Sequence, residues 1–282
     1  LNLLNVIHNR FSTAAFLVNS LPKSGTNLLA KVVEQFPGVR AGGLHIGLST
    51  LAKFNDSPGS EGPFVYIGID CPQPIPHTAL RQSLQRLRTG QYATAHIPYS
   101  KFTADLLLEM GIRSLLMIRD PRDVVVSHAH YVARTRDHFL FEYYKSLTAS
   151  ERIMKSIIGV GHIFSNGPVL LDICERCRSV QGWNSQPLNY STKFESLVGL
   201  QGGGSQDLQI DEITNIAHHL GVWIDPAKTE RIGMHIFGGT STFRRGKIGS
   251  WQFNFSEVHK DAFKEIAGKL LIELGYEKDF DW

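Results

Sequence analysis

Residues 14–29 read AAFLVNSLPKSGTNLL, and the change of character after Ser20 decides the fold. Up to Ser20 the stretch is a short apolar run bounded by turn residues, the pattern of a buried strand. From Thr26 the apolar residues recur at helical spacing, and Pro37 with Gly38 stops that helix near Gln35. Between them, PKSGT combines a glycine that lets another group approach the backbone, two hydroxyl side chains and a helix N-terminus turned on the loop. A strand, a short loop and a helix joined in this way form an anion cradle. The nucleotide-hydrolase loop requires G-x-x-x-x-G-K-[ST]. Here Lys23 and Ser24 precede Gly25, and no glycine stands at the earlier spacing, which argues against an ordinary P-loop ATPase.

Outward from this unit the same alternation recurs. HTALRQSLQRLRT (77–89) carries apolar residues at helical spacing, and QYATAHI (91–97) reads as a strand ending at Pro98, so His96 falls at a strand's C-terminal end. A helix over 101–110 leads into the buried strand RSLLMI (113–118), after which Asp120 caps a helix opened by Pro121. Arg119 is thereby also placed at a carboxyl edge. Strands alternating with helices predict an α/β domain with a central, mainly parallel sheet flanked by helices, and ligands in such sheets gather beyond the carboxyl ends of the strands.

The Gly- and Pro-rich residues 39–75 predict surface loops with one strand at 64–69. Further on, the pattern gives a helical tract over 168–186, a strand at LNYSTKF (188–194), a flexible GLQGGGSQ (199–206), a helix over 207–220 and a closing helix over 256–274. Neither a repeat nor a linker divides the chain, so residues 1–282 are expected to form a single domain.

With 42% hydrophobic and 20% charged residues, the composition is that of an ordinary globular domain, and no apolar run reaches the roughly 20 residues needed to span a bilayer. The N-terminal segment has no basic flank leading into an apolar core, and the expected compartment is cytoplasmic. A net charge of +3 without a Lys/Arg block gives no sign of nucleic-acid binding and suits a small anionic ligand. Three cysteines are too few for a disulfide framework. Cys174 and Cys177 form a C-x-x-C on a predicted helix with no second pair nearby, a structural arrangement rather than a zinc site.

Two further stretches could carry chemistry. In IRDPRDVVVSHAHY (118–131) Arg119 leaves a strand and Ser127 comes about two helical turns later, so that a guanidinium and a hydroxyl can grip one phosphate; pairing of Arg119 with Asp120 or Asp123 is the structural alternative. In TFRRGKIGSWQFNF (242–255) Arg244, Arg245 and Lys247 lie among glycines, a composition suited either to a basic loop over a polyanion or to a solvated turn.

Taken in order, PKSGT (22–26), RDPRDVVVS (119–127) and FRRGKIGSW (243–251) resemble the three cofactor-binding motifs of the sulfotransferases that use 3′-phosphoadenosine 5′-phosphosulfate (PAPS). The resemblance covers most of the chain. It implies that Lys23, Ser24, Gly25 and Thr26, with Asn27, hold the 5′-phosphosulfate, and that Arg119, Ser127, Arg244, Arg245 and Gly246 hold the 3′-phosphate. TAHIP matches the family's K-T-H-x-P, which makes His96 the general base beside a catalytic Lys23. FESL places Phe194 near the adenine. Thr94 stands where animal members have a second active-site lysine, and Ser250 replaces an aspartate.

The implied activity is sulfuryl transfer to a hydroxyl or amine of a small molecule, without a metal. The family's K-T-V-E dimerisation signature is not evident, so a monomer or weak homodimer is expected. A carbohydrate sulfotransferase with a carboxylate base, and a silent nucleotide-binding or interaction module, are the other readings. For the acceptor, Phe139, Phe141, Tyr143 and Tyr144 offer a flat apolar wall, and Asp137 and Glu142 offer charges for a cationic substrate.

Overall fold

In the computed structural model β1 (Phe16–Ser20) is buried along its whole length. Phe16 and Val18 face one apolar layer, and Leu17 faces the other. The same division holds in β6 (Arg113–Ile118), where Leu115 and Met117 point one way and Leu116 the other. Strands covered on both faces read as continuous apolar runs, which is why these two were plain in the sequence. Residues 13–52, 63–161, 170–239 and 245–282 are described.

Five strands form one parallel sheet in the order β2, β5, β1, β6, β7, with β2 Arg40–Ile46, β5 Gln91–Ala95 and β7 Asn189–Lys193. After β1 the chain runs to the edge as β2, returns inward as β5 beside β1, then crosses to β6 on the other side. The C-terminal end of β1 is therefore the switch point of the sheet, where a crevice opens. One face is packed by α1 (Thr26–Val33), α9 (Gln206–His219) and α10 (Pro226–His235). The other is packed by α3 (Lys101–Glu109), α4 (Pro121–Val132), α6 (Ala149–Ile158), α7 (Ile173–Gln181) and α11 (Glu257–Glu273). Between them in sequence are α2 (His77–Gln85), α5 (Phe141–Ser146) and the short α8 (Phe194–Leu197).

The helix starts obey their capping residues. Asp120 accepts the Arg122 N–H at 2.9 Å ahead of Pro121, and Thr148 with Glu151 and Asp172 with Glu175 form capping boxes at α6 and α7.

Two expectations are corrected, and the strand expected at 64–69 forms in a separate hairpin. Residues 40–46, expected as loop, form the edge strand β2. Gly42 passes so close to β5 that a Cβ there would lie 3.0 Å from Tyr92 O, and backbone pairing with an irregular register takes the place of side-chain alternation. The strand β3 (Phe64–Ile67) is outside the main sheet and pairs antiparallel with β4 (Gln73–Pro76). The GLQGGG segment is held: its Leu200–Gly202 turn accepts the Ile248 N–H on Gly202 O at 3.0 Å, tying it to the C-terminal basic loop.

One buried side chain fixes the end of β5. Asn19 pairs with Ile97 as a strand would, its Nδ2 donating to Ile97 O and its Oδ1 accepting from Ile97 N, both at 2.9 Å. The neighbouring His96 backbone donates to Ile46 O and accepts from Gly68 N, each at 2.8 Å. His96 is thus anchored from three directions before its side chain makes any contact.

Candidate active site

Beyond the carboxyl ends of β1, β5 and β6 lies a cavity of about 620 Å³, within the range of small-molecule and cofactor sites. Ten of the residues singled out in the sequence line it: Lys23, Gly25, Thr26, Asn27, His96, Arg119, Ser127, Phe194, Arg245 and Gly246. Ser24 is fully buried in the loop behind this surface. Arg244 lies outside the described residues.

The loop before α1 is a tight turn, closed by the Ser24 N–H donating to Leu21 O at 3.1 Å. Lys23 adopts φ 69° and Gly25 φ 115°, so two residues of left-handed sense bracket Ser24. A lysine in that region is uncommon and stores of order 1–3 kcal/mol of strain, a feature concentrated at functional sites. No side chain caps α1, and no acidic residue stands in its first turn. The positive end of the helix thus faces the cavity without a neighbouring carboxylate. Ser24 Oγ is buried without a hydrogen-bond partner, a cost a native fold tolerates where a ligand completes the bond. A Cβ on Gly25 would lie 2.8 Å from Phe194 Cδ2, so the ring closes the loop from the side.

His96 stands across from this loop. Its Nδ1 lies 2.8 Å from Ser20 O, an acceptor only, so the proton resides on Nδ1 and Nε2 carries the lone pair. Burial pushes the imidazole below its ordinary value; the Ser20 carbonyl and Asp70 oppose this, and Lys23 adds to it. The ring is therefore neutral at pH 7. Its edge meets His45 with centroids 5.2 Å apart. His45 is pushed down to about 4 by burial and by His96, and its Nδ1 is 2.9 Å from Thr94 Oγ1.

Arg119 is buried, with its guanidinium 4.1 Å above the Phe194 ring. One arm is engaged: Nη2 donates to Lys247 O at 2.7 Å and to Asp123 Oδ2 at 3.2 Å. Its Nε has no partner. Asp123 also accepts from the backbone N–H groups of Gly249 and Trp251, both at 2.9 Å, and so clamps the C-terminal loop beside Arg119. The first arginine of RDPRD thus faces the cavity. The second, Arg122, is a structural clamp: it holds Asp120 and Glu277 and packs against the rings of both Trp251 and Trp282.

Residues 14–166 match the family described as "Sulfotransferase domain". The chain belongs to this sulfotransferase family. Two solved structures share its fold. Mouse sulfotransferase SULT7A1 complexed with PAP superposes with a TM-score of 0.61 over 92% of this chain and 84% of its own, at 14% identity. Retinol dehydratase in complex with androsterone and inactive cofactor PAP gives 0.53 over 91% and 80%, at 16% identity. No curated protein sequence matches significantly. No described helix is long and apolar enough to cross a membrane.

Sequence reasoning missed part of the sulfotransferase cavity. Asp70, His138, His45 and His128 line it and belong to none of the three motifs' assigned residues. The aromatic segment is corrected: Phe139 and Asp137 line the cavity, whereas Phe141, Glu142 and Tyr143 do not and Tyr144 is packed inside. The signal for Asp70 and His138 is tertiary, because one lies in the β3–β4 turn and the other between α4 and α5. The C-x-x-C is structural: burial pushes the Cys177 thiol up to about 12, and Cys174 accepts a bond from Arg178.

Proposed function

We propose that this sulfotransferase moves the sulfuryl group of PAPS to a hydroxyl or amine of a small-molecule acceptor, with His96 as general base. The observation that carries the reading is the meeting of Lys23, His96 and Arg119 at one cavity, with an orphaned buried donor on Arg119 Nε and another, Ser24 Oγ, in the loop directly behind the cavity wall. Such donors suit an anion at both ends of the cavity, as a nucleotide with 3′ and 5′ substituents requires. The PAP in the two neighbours, and the androsterone in one of them, support the donor and the acceptor class.

Lys23, Ser24, Gly25, Thr26 and Asn27 would hold the 5′-phosphosulfate. Arg119 and Ser127, joined by Arg245 and Gly246 of the C-terminal loop, would hold the 3′-phosphate; Arg244 belongs to the same proposed set. Phe194 would flank the adenine. PAPS supplies the activated sulfuryl group, and the protein positions and neutralises charge. His96 Nε2 takes the acceptor's proton as its oxygen or nitrogen attacks. Lys23 and the N-terminus of α1 stabilise negative charge on the leaving phosphate. Two of the cavity's carboxylates are already engaged and fit a base less well: Arg176 engages Asp70 at 3.1 Å, and Asp123 is held by Arg119 and two backbone N–H groups.

Arg119→Ala tests the nucleotide assignment. Loss of hydrogen bonds to a charged group is expected to weaken PAP binding about 10- to 100-fold. Adenosine 5′-phosphate, which lacks the 3′-phosphate, should lose much less. Calorimetric titration of both nucleotides checks this, and equal losses would contradict the assignment.

A further inference from the structure

Three side chains with no part in the proton transfer converge on the cavity. Asp70, His128 on α4 and His138 each present one polar atom, and the three atoms lie within 4.8 Å of one another. The protein holds each group from behind. Asp70 Oδ1 accepts from the buried Arg176 at 3.1 Å. His128 Nδ1 is 2.9 Å from Ser156 Oγ, which in turn is 3.1 Å from Tyr144 OH. His128 Nε2 is buried, has no hydrogen-bond partner, and lies 3.8 Å from Asp70 Oδ2. His138 accepts the Leu140 N–H on Nδ1 at 3.2 Å, which puts its own proton on Nε2.

Two imidazoles and a carboxylate invite a metal ion, but the local charge opposes one. Burial pushes His128 down to about 3 despite Asp70, and the cations Arg176 and Lys23 add to the fall. His138 is lowered by burial and by Lys23, again against Asp70. Cations that repel a proton from these rings also repel a dication. A metal on His138 would further have to displace either the Nε2 proton or the Leu140 bond.

A neutral hydroxyl fits better. Asp70 Oδ2 and His128 Nε2 are too far apart to bond directly, yet one oxygen can sit at ordinary hydrogen-bond distance from both. A hydroxyl has one hydrogen to give and two lone pairs to receive with. It would donate to Asp70 Oδ2 and accept from the Nε2–H groups of His128 and His138, which uses the tautomer of His128 that accepts from Ser156. An ammonium has no lone pair for those two donors and would meet the charge of Arg176. A carbon atom there would leave buried polar groups unpaired.

We propose that Asp70, His128 and His138 form a second-hydroxyl subsite, so that the preferred acceptor is a dihydroxy or polyhydroxy small molecule with one hydroxyl at His96 and another at this trio. The inference rests on the sulfuryl-transfer reading and adds the acceptor class.

Matched acceptors test it: the three dihydroxybenzenes against phenol, and linear diols of graded length against the corresponding mono-alcohols, with PAPS as donor. A site built to bond a hydroxyl rejects the analogue lacking it, so the best dihydroxy member is expected to exceed its partner by about tenfold or more in kcat/KM. His138→Phe removes the donor and keeps a ring against Phe139, whose centroid is 4.6 Å away; there the ratio should fall toward one. A ratio near one for every pair, or one unchanged in His138→Phe, overturns the subsite. Should no acceptor be sulfated, the transfer reading fails, and calorimetric binding of the same pairs to the PAP-loaded protein decides the subsite by the same ratio. Titration with Co²⁺ that gives a ligand-field absorption band lost in His138→Phe would assign the trio to a metal and overturn the proposal.

Discussion

Replacing His96 with alanine is expected to lower kcat about 10²- to 10⁴-fold, the range spanned by a positioned general base, while PAP still binds. The proposed binding residues sit on other elements, and the Asn19–Ile97 pair and the backbone bonds of residue 96 remain in the variant. The pH profile adds a second reading. His96 must be neutral to accept a proton, and burial lowers its pKa below the ordinary imidazole value of 6.5. As pH falls, kcat/KM should therefore hold through neutrality and decline only below 6.5. An acid limb at or above that value, or a variant within about threefold of the unmutated rate, would count against the role. His45 is in contact with His96 and its pKa is pushed down to about 4, so it is a weak proton acceptor near neutral pH.

Lys23→Met is expected to reduce kcat about 10²- to 10³-fold, the usual cost of removing one preorganised donor from developing negative charge. Lys23 Nζ lies 3.6 Å from the centre of the Tyr131 ring, and methionine keeps the aliphatic stem beside that ring while deleting the charge. The loss should fall on kcat far more than on the acceptor's KM, because the charge it meets develops during transfer. Lys23→Gly separates strain from charge. Glycine accepts a φ of 69° without penalty, so this variant should lose the same activity and gain of order 1 kcal/mol in stability by denaturant titration. A loss confined to KM would assign Lys23 to ground-state binding alone.

The parts of the site that the sequence showed are those carried by local signals. Ser20, Ala95 and Ile118 end buried strands, and the residues just after each lie at one edge of the sheet; PKSGT, His96 and Arg119 could be brought together on that basis alone. Edge strand β2 could not be read this way, because Gly42 serves close approach to β5 and its register is irregular, so alternation is lost. Of the two arginines in RDPRD, Arg119 is marked by its place just after β6; that Arg122 is a clamp shows only in the indole rings around it. Asp70 and His138 have no neighbours in sequence that mark them. Their pairing with His128 depends on how the β3–β4 turn and the segment after α4 fold over the cavity, and periodicity carries no trace of that.

Sulfuryl transfer itself is tested most directly by tracing ³⁵S from labelled PAPS in the presence of a panel of phenols, aliphatic alcohols, sugars and amines. The expected result is a labelled small-molecule product that disappears in His96→Ala, with PAP formed in equal amount. Tight PAP binding with no label passed to any acceptor would contradict the transfer reading and leave a nucleotide-binding module in its place.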